Sequence, residues 1–227
     1  KLLRIIMSQY VFGFPLDASL QKTIDDLLTN HAKGQYANSA TAVTLAIGTT
    51  DGVVKALALD VIDILKANGE GGGVLAVLAN LLKSTMHVLI KQIMGKVSDA
   101  EQDKLAGYLG RRRQVVDGVT KFGFIMPQPL GKRFEEILER IAAGNMTGAR
   151  EDLTAAMSDF VDAATAAFYD DFTNSLDVGF VKKKMVSIGR STIIKGSNSA
   201  TSKLFVSMND SELQAVSAHY GSMFTQG

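Results

Sequence analysis

Histidine is the side chain most often used for acid–base catalysis and metal binding, and this chain has three, His31, His87 and His219. None of them has a second histidine four residues away, which is the spacing that two metal ligands on one helix need. The chain also contains no cysteine, which excludes disulfides, thiolate nucleophiles, cysteine-ligated zinc and iron–sulfur clusters. The sequence therefore predicts no metal site and no cofactor.

His87 is the histidine that we single out as a candidate pocket residue. It lies in a strongly apolar segment, on one polar stripe with Asn80, Ser84 and Lys91. A solvated or hydrogen-bonded surface histidine produces the same pattern. Both interpretations of His87 stay open.

Sequence motifs of catalysis and nucleotide binding are absent. No serine lies in a Gly-x-Ser-x-Gly elbow, and there is no Gly-x-x-x-x-Gly-Lys-Ser/Thr or Gly-x-Gly-x-x-Gly phosphate loop. Catalytic residues that meet only in space leave no such motif. The sequence therefore leaves open whether the protein is an enzyme.

Arg111, Arg112 and Arg113 form a basic cluster that could bind an anion or a partner. Arg112 falls on the apolar stripe of its predicted helix, between Tyr108 and Val116. A guanidinium on a core-facing stripe needs a carboxylate, backbone carbonyls or a bound anion. We predict that Arg112 is mostly buried and paired.

Charge is segregated in the last third of the chain. Residues 149–175 contain six acidic residues and only Arg150 as a base, whereas residues 178–203 contain six basic residues and no acid. Either the basic segment folds back along the acidic helix, or it forms an arm for an acidic or phosphate-bearing partner. The candidate partner-binding residues in it are Lys182, Lys183, Lys184 and Arg190.

Hydrophobic residues recur with helical spacing along most of the chain. The pattern predicts an all-α fold with seven or eight helices around one core. A capping box at Ser98 and Glu101 predicts the start of a helix that reaches Phe122. Residues 185–207 have no clear periodicity, so we expect a loosely structured stretch there, with short β-strands as an alternative.

Length and composition favour one domain. The 227 residues are 46% hydrophobic and 21% charged, as in globular proteins that fold around a single core. We predict one helical domain over residues 1–227. A division into two lobes near residues 126–130, where two prolines interrupt the helical pattern, is the alternative.

The net charge, the longest uncharged run and the first residue of the chain limit which partners and cellular locations we expect. The formal net charge of +1 does not favour nucleic-acid binding. The longest uncharged run, Gly34–Thr50, is too short and too polar to predict a transmembrane helix, and contact with a membrane surface stays open. Because the first residue is Lys1, we expect a fragment or processed form of a larger or exported protein, and cytoplasmic and exported locations both fit.

Three classes of function remain, and we favour the first. It is a soluble helical protein-interaction module without catalytic chemistry, which would bind another protein or form a homo-oligomer. The second is a membrane-active protein of pore-forming type, motivated by the Gly-rich turn between two apolar helices, 51–67 and 74–95. The third is an enzyme or small-ligand binder with a pocket between helices, where Arg112 or His87 would supply the polar contact.

Overall fold

The computed structural model describes residues 9–68, 73–94, 97–177 and 179–226. It is 75% helical, with eight helices around a core and a small four-stranded antiparallel sheet, which confirms the all-α-dominant fold predicted from the sequence. The start of the chain and the Gly-rich turn at 69–72, which motivated the fragment and pore-forming hypotheses, lie outside the described residues.

Ten α-helical segments make up the eight helices of the described residues, because two π-helical turns join four of the segments in pairs. The first π turn, Lys55–Leu59, connects α2 to α3, and the second π turn, Thr165–Asp170, connects α7 to α8. The segments are α1 Ala18–His31, α2 Ser39–Val54, α3 Asp60–Ala67, α4 Gly73–Ile93, α5 Asp99–Arg112, α6 Gln128–Ala142, α7 Ala149–Ala164, α8 Asp171–Asn174, α9 Phe180–Ser207 and α10 Asp210–Gly221.

Side-chain caps explain where several helices begin. The predicted capping box at α5 is confirmed: the Ser98 hydroxyl accepts from the Glu101 amide, and the Glu101 carboxylate accepts from the Ser98 amide. Asn209 and Glu212 form the same reciprocal pair at α10. Each cap satisfies amide groups that have no partner within the helix.

The four strands form a sheet that the sequence prediction missed. They are β1 Tyr10–Phe14, β2 Arg113–Val116, β3 Val119–Ile125 and β4 Phe224–Gln226, in the order β2-β3-β1-β4. The helix predicted to reach Phe122 ends at Arg112 instead, and β2 and β3 form a hairpin. Its turn is Asp117-Gly118, with φ of 51° and 77°, the positive values that two-residue hairpins with an Asp-Gly turn require.

The expectation of a loose stretch with short strands at 185–207 is wrong, because α9 continues as one helix from Phe180 to Ser207. This helix packs against α4 and α7. Its glycines allow that close packing: a Cβ at Gly189 would lie 2.5 Å from the Tyr169 hydroxyl, and one at Gly196 would lie 2.9 Å from Leu78 Cδ1. Tertiary contacts here override weak helix propensity.

Phenylalanines hold the sheet against the helices. Phe12 of β1 is fully buried, and its ring centroid lies 4.8 Å from that of Phe160 on α7. Phe122 of β3 stacks on Phe168 of the second π turn at 5.7 Å. Aromatic pairs at these distances add stabilisation beyond the area they bury. The sheet is therefore part of the core and supports the helix that carries the second π turn.

The continuous helix Ser39–Ala67 is 29 residues long and is the one described helix with the length and composition to cross a membrane. Apolar core helices of globular proteins meet the same criterion. In the fold this helix packs against α4 and α10. Its apolar character therefore carries no conclusion about a membrane.

Candidate functional site

A cavity of about 160 Å³ lies between the helices. Its lining comes mainly from the α2–α3 helix, α4, the α7–α8 helix and α9, with single residues from α5, β3 and α10. No described lining residue is charged. The lining residues are Ala46, Thr49, Thr50, Val53, Val54, Leu57, Ala58, Leu75, Leu78, Leu82, Met86, Tyr108, Phe122, Met157, Phe160, Val161, Ala164, Thr165, Phe168, Tyr169, Phe172, Ile193, Ser197, Thr201, Leu204, Phe205 and Tyr220.

The depth of the cavity follows from the burial of its lining. Phe160 and Phe205 are almost completely buried. Val53, Leu78, Leu82 and Ile193 are only partly buried, and they lie on α2, α4 and α9. The lining therefore combines deeply buried aromatic rings with partly exposed aliphatic residues of α2, α4 and α9.

Both π turns contribute to the lining. Leu57 and Ala58 come from the first turn, and Thr165, Phe168 and Tyr169 come from the second. In the first turn the amide of Asp60 donates to the Lys55 carbonyl, five residues back, and in the second the amide of Asp171 donates to Ala166. Such turns widen a helix locally and occur frequently at functional sites.

Carbonyl oxygens of both π turns accept side-chain hydrogen bonds from other helices. Ala56 O and Leu57 O lie 2.9 Å from His219 Nε2 and 3.1 Å from the Tyr220 hydroxyl, both on α10. A carbonyl can only accept, so His219 carries its hydrogen on Nε2. Phe168 O accepts from the Tyr108 hydroxyl of α5 at 3.3 Å. α10 and α5 therefore fix the widened turns in place.

The three tyrosines that line the cavity stay neutral near pH 7. Burial raises the pKa of Tyr108 and of Tyr220. Burial likewise raises the pKa of Tyr169 to about 12. The hydroxyls of all three are bonded to backbone carbonyls, that of Tyr169 to Val186 at 2.8 Å. The three hydroxyl groups stabilise the helices that form the cavity walls, but they supply no charge to the cavity.

The two aspartates at the second π turn receive the arginines that the sequence singled out. Arg111 donates twice to Asp171, from Nε at 3.0 Å and from Nη2 at 2.7 Å. Arg190 of α9 donates to both carboxylate oxygens of Asp170 at 2.9 Å. Neighbouring aspartates therefore attach α5 and α9 to the same point of the α7–α8 helix.

Arg112 is 8% exposed, in agreement with the predicted burial. Its Nη2 lies 3.4 Å from Asp171 Oδ2, and its guanidinium carbon lies 5.8 Å from the centre of the Tyr108 ring. Nε and Nη1 are buried and make no hydrogen bond within the described part of the chain. Burial lowers the pKa of Arg112 from its ordinary value.

The other candidate residues lie apart from the cavity lining. His87 Nε2 is 2.7 Å from Asp51 Oδ1, and Lys83 Nζ is 3.2 Å from the other oxygen of Asp51, so this trio links α4 to α2. Arg113 pairs with Asp25 at 3.0 Å. Lys182 Nζ is 3.4 Å from Ile93 O. Lys183 and Lys184 are exposed. The anion- and partner-binding roles of these residues stay predictions.

The sequence prediction missed the residues that form the cavity. The signal that could have found them is a set of hydroxyl side chains, among them Thr49, Thr165 and Thr201, within otherwise apolar helix faces. Among the described residues no group of three or more His, Asp or Glu side chains could hold a metal ion. Comparison of the chain with models of protein families, with curated proteins and with solved structures found no match.

Proposed function

We propose that this protein binds a small, uncharged and largely apolar molecule in the cavity between its helices. The observation that carries the proposal is a space of about 160 Å³ whose described lining contains no charged residue. Of the three classes left open by the sequence, this is the small-ligand binder. Arg112 and His87, which we expected to supply its polar contact, do not line this space.

Size and charge define the ligand class. An apolar protein cavity of about 150 Å³ holds benzene, so a space of about 160 Å³ suits a molecule of one ring. An ionised ligand would lose its hydration without gaining an opposite charge, at a cost far above the gain from apolar contact. The proposal therefore excludes anions and cations as tight occupants.

Titration with benzene tests this proposal. We expect saturable chemical-shift changes of the cavity methyl groups of Leu78, Leu204 and Met157 in NMR spectra. We also expect a melting temperature that rises with benzene concentration, because a ligand that binds only the folded state stabilises it.

A cavity-filling variant supplies the specificity control. Ala164→Leu places a larger side chain in the lining, so we expect loss of benzene binding, and Ala46→Leu serves if Ala164→Leu does not fold. Ala155→Leu adds the same atoms on the exposed side of α7, and we expect unchanged binding. Absence of saturable binding to the unmodified chain, or equal binding by the filled variant, would refute the proposal.

A second candidate function is the protein interaction favoured from the sequence, and the outer face of α4 is the observation that supports it. Val77, Leu81 and Val88 lie on one side of this helix and are 70%, 46% and 54% exposed. Lys91 lies beside this apolar face and is exposed, whereas Lys83 points away from it toward Asp51. An amphipathic partner helix with acidic residues beside its apolar stripe would complement this face.

A pair of designed peptides tests the interaction. Both carry leucines at helical spacing, one flanked by glutamates and the other by lysines. We expect fluorescence anisotropy to report binding of the glutamate peptide, loss of that binding with Leu81→Asp, and no binding of the lysine peptide. Equal behaviour of the two peptides, or binding unaffected by Leu81→Asp, would contradict an interface on α4.

A further inference from the structure

Three hydroxyl side chains in the cavity lining make no hydrogen bond to any described residue. They are Thr165 of the second π turn and Ser197 and Thr201 of α9. Thr165 is only 4% exposed, so bulk water does not solvate it as it would a surface threonine. Because Thr165 lines the cavity, a polar group of a ligand in that space would supply the hydrogen-bond partner that its hydroxyl lacks among the described residues.

The other threonines of the lining are different. The Thr49 hydroxyl donates to Leu45 O at 2.9 Å, and the Thr50 hydroxyl donates to Ala46 O at 2.8 Å. Both are satisfied by the carbonyl one turn earlier in their own helix, which is the usual solution for a threonine within a helix. Thr165, Ser197 and Thr201 have not adopted it within the described structure.

The three hydroxyl groups belong to elements that pack against each other. Ser197 and Thr201 are one helical turn apart on α9, so they lie on the same face of that helix. α9 packs directly against α7 and the second π turn, which carries Thr165. Hydroxyl groups therefore occur on both the α9 wall and the π-turn wall of the cavity, whereas leucine, valine and phenylalanine side chains make up most of the remainder.

From this arrangement we infer that the ligand of the proposed cavity is a neutral one-ring molecule with a single hydroxyl or carbonyl oxygen. The inference rests on the proposed function and specifies its ligand. Such an oxygen would pair with the Thr165 hydroxyl, and the ring would fill the apolar remainder. Hydroxyl groups can both donate and accept, so they suit an alcohol as well as a ketone.

Benzene, phenol and benzoate form the test series at pH 7, measured by calorimetry and by NMR titration. Phenol is neutral at this pH and differs from benzene by one oxygen. We expect phenol to bind about three- to tenfold more tightly than benzene, the range expected for one neutral hydrogen bond. We expect no saturable binding of benzoate, because the lining offers no positive charge.

Threonine-to-valine variants identify the responsible residues, since valine keeps the shape and removes the hydroxyl. Thr165→Val is expected to abolish the preference for phenol over benzene and to leave benzene affinity unchanged or higher. Thr165→Ala serves the same purpose if Thr165→Val does not fold. Thr50→Val is the matched control, because that hydroxyl is already bonded to Ala46 O, and we expect the preference to persist.

The outcomes separate this inference from the proposed function. If neither benzene nor phenol binds, the proposed function fails and the inference fails with it. If benzene and phenol bind equally, or if the folded Thr165 variant keeps the preference for phenol, the inference is wrong while the apolar cavity stands. Saturable benzoate binding would overturn the restriction to neutral ligands.

Discussion

The hydroxyl of Tyr220 donates a hydrogen bond to the carbonyl oxygen of Leu57, 3.1 Å away, across 163 residues of chain. Tyr220 is 3% exposed, and both residues line the cavity. Together with the bond from His219 to Ala56 O, this contact ties α10 to the first π turn. The shape of the cavity wall thus depends on a helix from the far end of the sequence.

Replacing Tyr220 by phenylalanine tests how much this bond stabilises the fold. The ring keeps its packing, but Leu57 O loses a partner in a buried position, so we expect a loss of about 1–2 kcal/mol in the free energy of unfolding. Urea denaturation at pH 7 measures it. Tyr36→Phe is the control: Tyr36 is 45% exposed, so we expect a change below about 0.5 kcal/mol. Equal losses in the free energy of unfolding for the two variants would show that the buried hydrogen bond stabilises the fold no more than an exposed tyrosine hydroxyl does.

Arg112 and Asp171 should respond differently to substitution. Arg112 is buried, and two of its nitrogens have no partner among the described residues. Asp171 keeps Arg111 as a two-bond partner if Arg112 is lost. We therefore expect Arg112→Met to be neutral or stabilising by about 1 kcal/mol, as for other buried charges replaced by apolar groups.

Asp171→Asn is expected to destabilise by about 2–4 kcal/mol, because it leaves Arg111 and the buried Arg112 without a carboxylate. Thermal and urea unfolding of both variants measure the contrast. A loss of stability in Arg112→Met as large as that in Asp171→Asn would contradict it.

Glu101 makes part of the stability depend on pH. Burial raises its pKa, but bonds from the Ser98 amide, the Asp177 amide and the Ser98 hydroxyl outweigh burial and hold the pKa below its ordinary value of 4.5. A carboxyl group with a lowered pKa in the folded state stabilises that state above its unfolded pKa, and the contribution is lost as the pH falls through the folded pKa.

We expect Glu101→Gln to destabilise the protein by about 1–2 kcal/mol at pH 7, since the glutamine amide has one accepting oxygen and cannot accept from both the Ser98 amide and the Asp177 amide. The difference should shrink as the pH falls below about 4.5, where the native carboxylate becomes protonated. Urea denaturation from pH 7 to pH 3 measures both parts. A difference that stays constant over this range would show that the charge of Glu101 is not involved.

Gly189 tests the close contact between α9 and the second π turn. Ala at this position would put its Cβ 2.5 Å from the Tyr169 hydroxyl, so we expect a loss of about 1–3 kcal/mol from overpacking. Gly110→Ala is the matched control on α5, because no described residue comes within 4 Å of its added Cβ. Alanine has the higher helix propensity, so there we expect a gain of up to about 1 kcal/mol. Destabilisation by both variants would indicate a general cost of adding a methyl group.

Local sequence determined most of the helical architecture. The capping box at Ser98 and Glu101 and the periodic apolar positions of α6 depend on residues three or four apart, so they can be read from the chain alone. The position of Arg112 on an apolar stripe predicted its burial for the same reason. The hairpin was misinterpreted although a local signal was present: Asp117-Gly118 is a strong turn signal, but the prediction followed the helical spacing of the flanking valines.

Tertiary structure alone decided the rest. The hydrophobic residues of α9 show little helical periodicity. The segment is helical from Phe180 to Ser207 because α4 and α7 pack against it. Asp171 could not be recognised as the partner of Arg111, 60 residues away, from the sequence. The cavity is a space between helices rather than a pattern in any one of them. Thr165, Ser197 and Thr201 acquire a common environment only when the chain folds, since no local rule relates a π turn to a helix that begins later in the sequence.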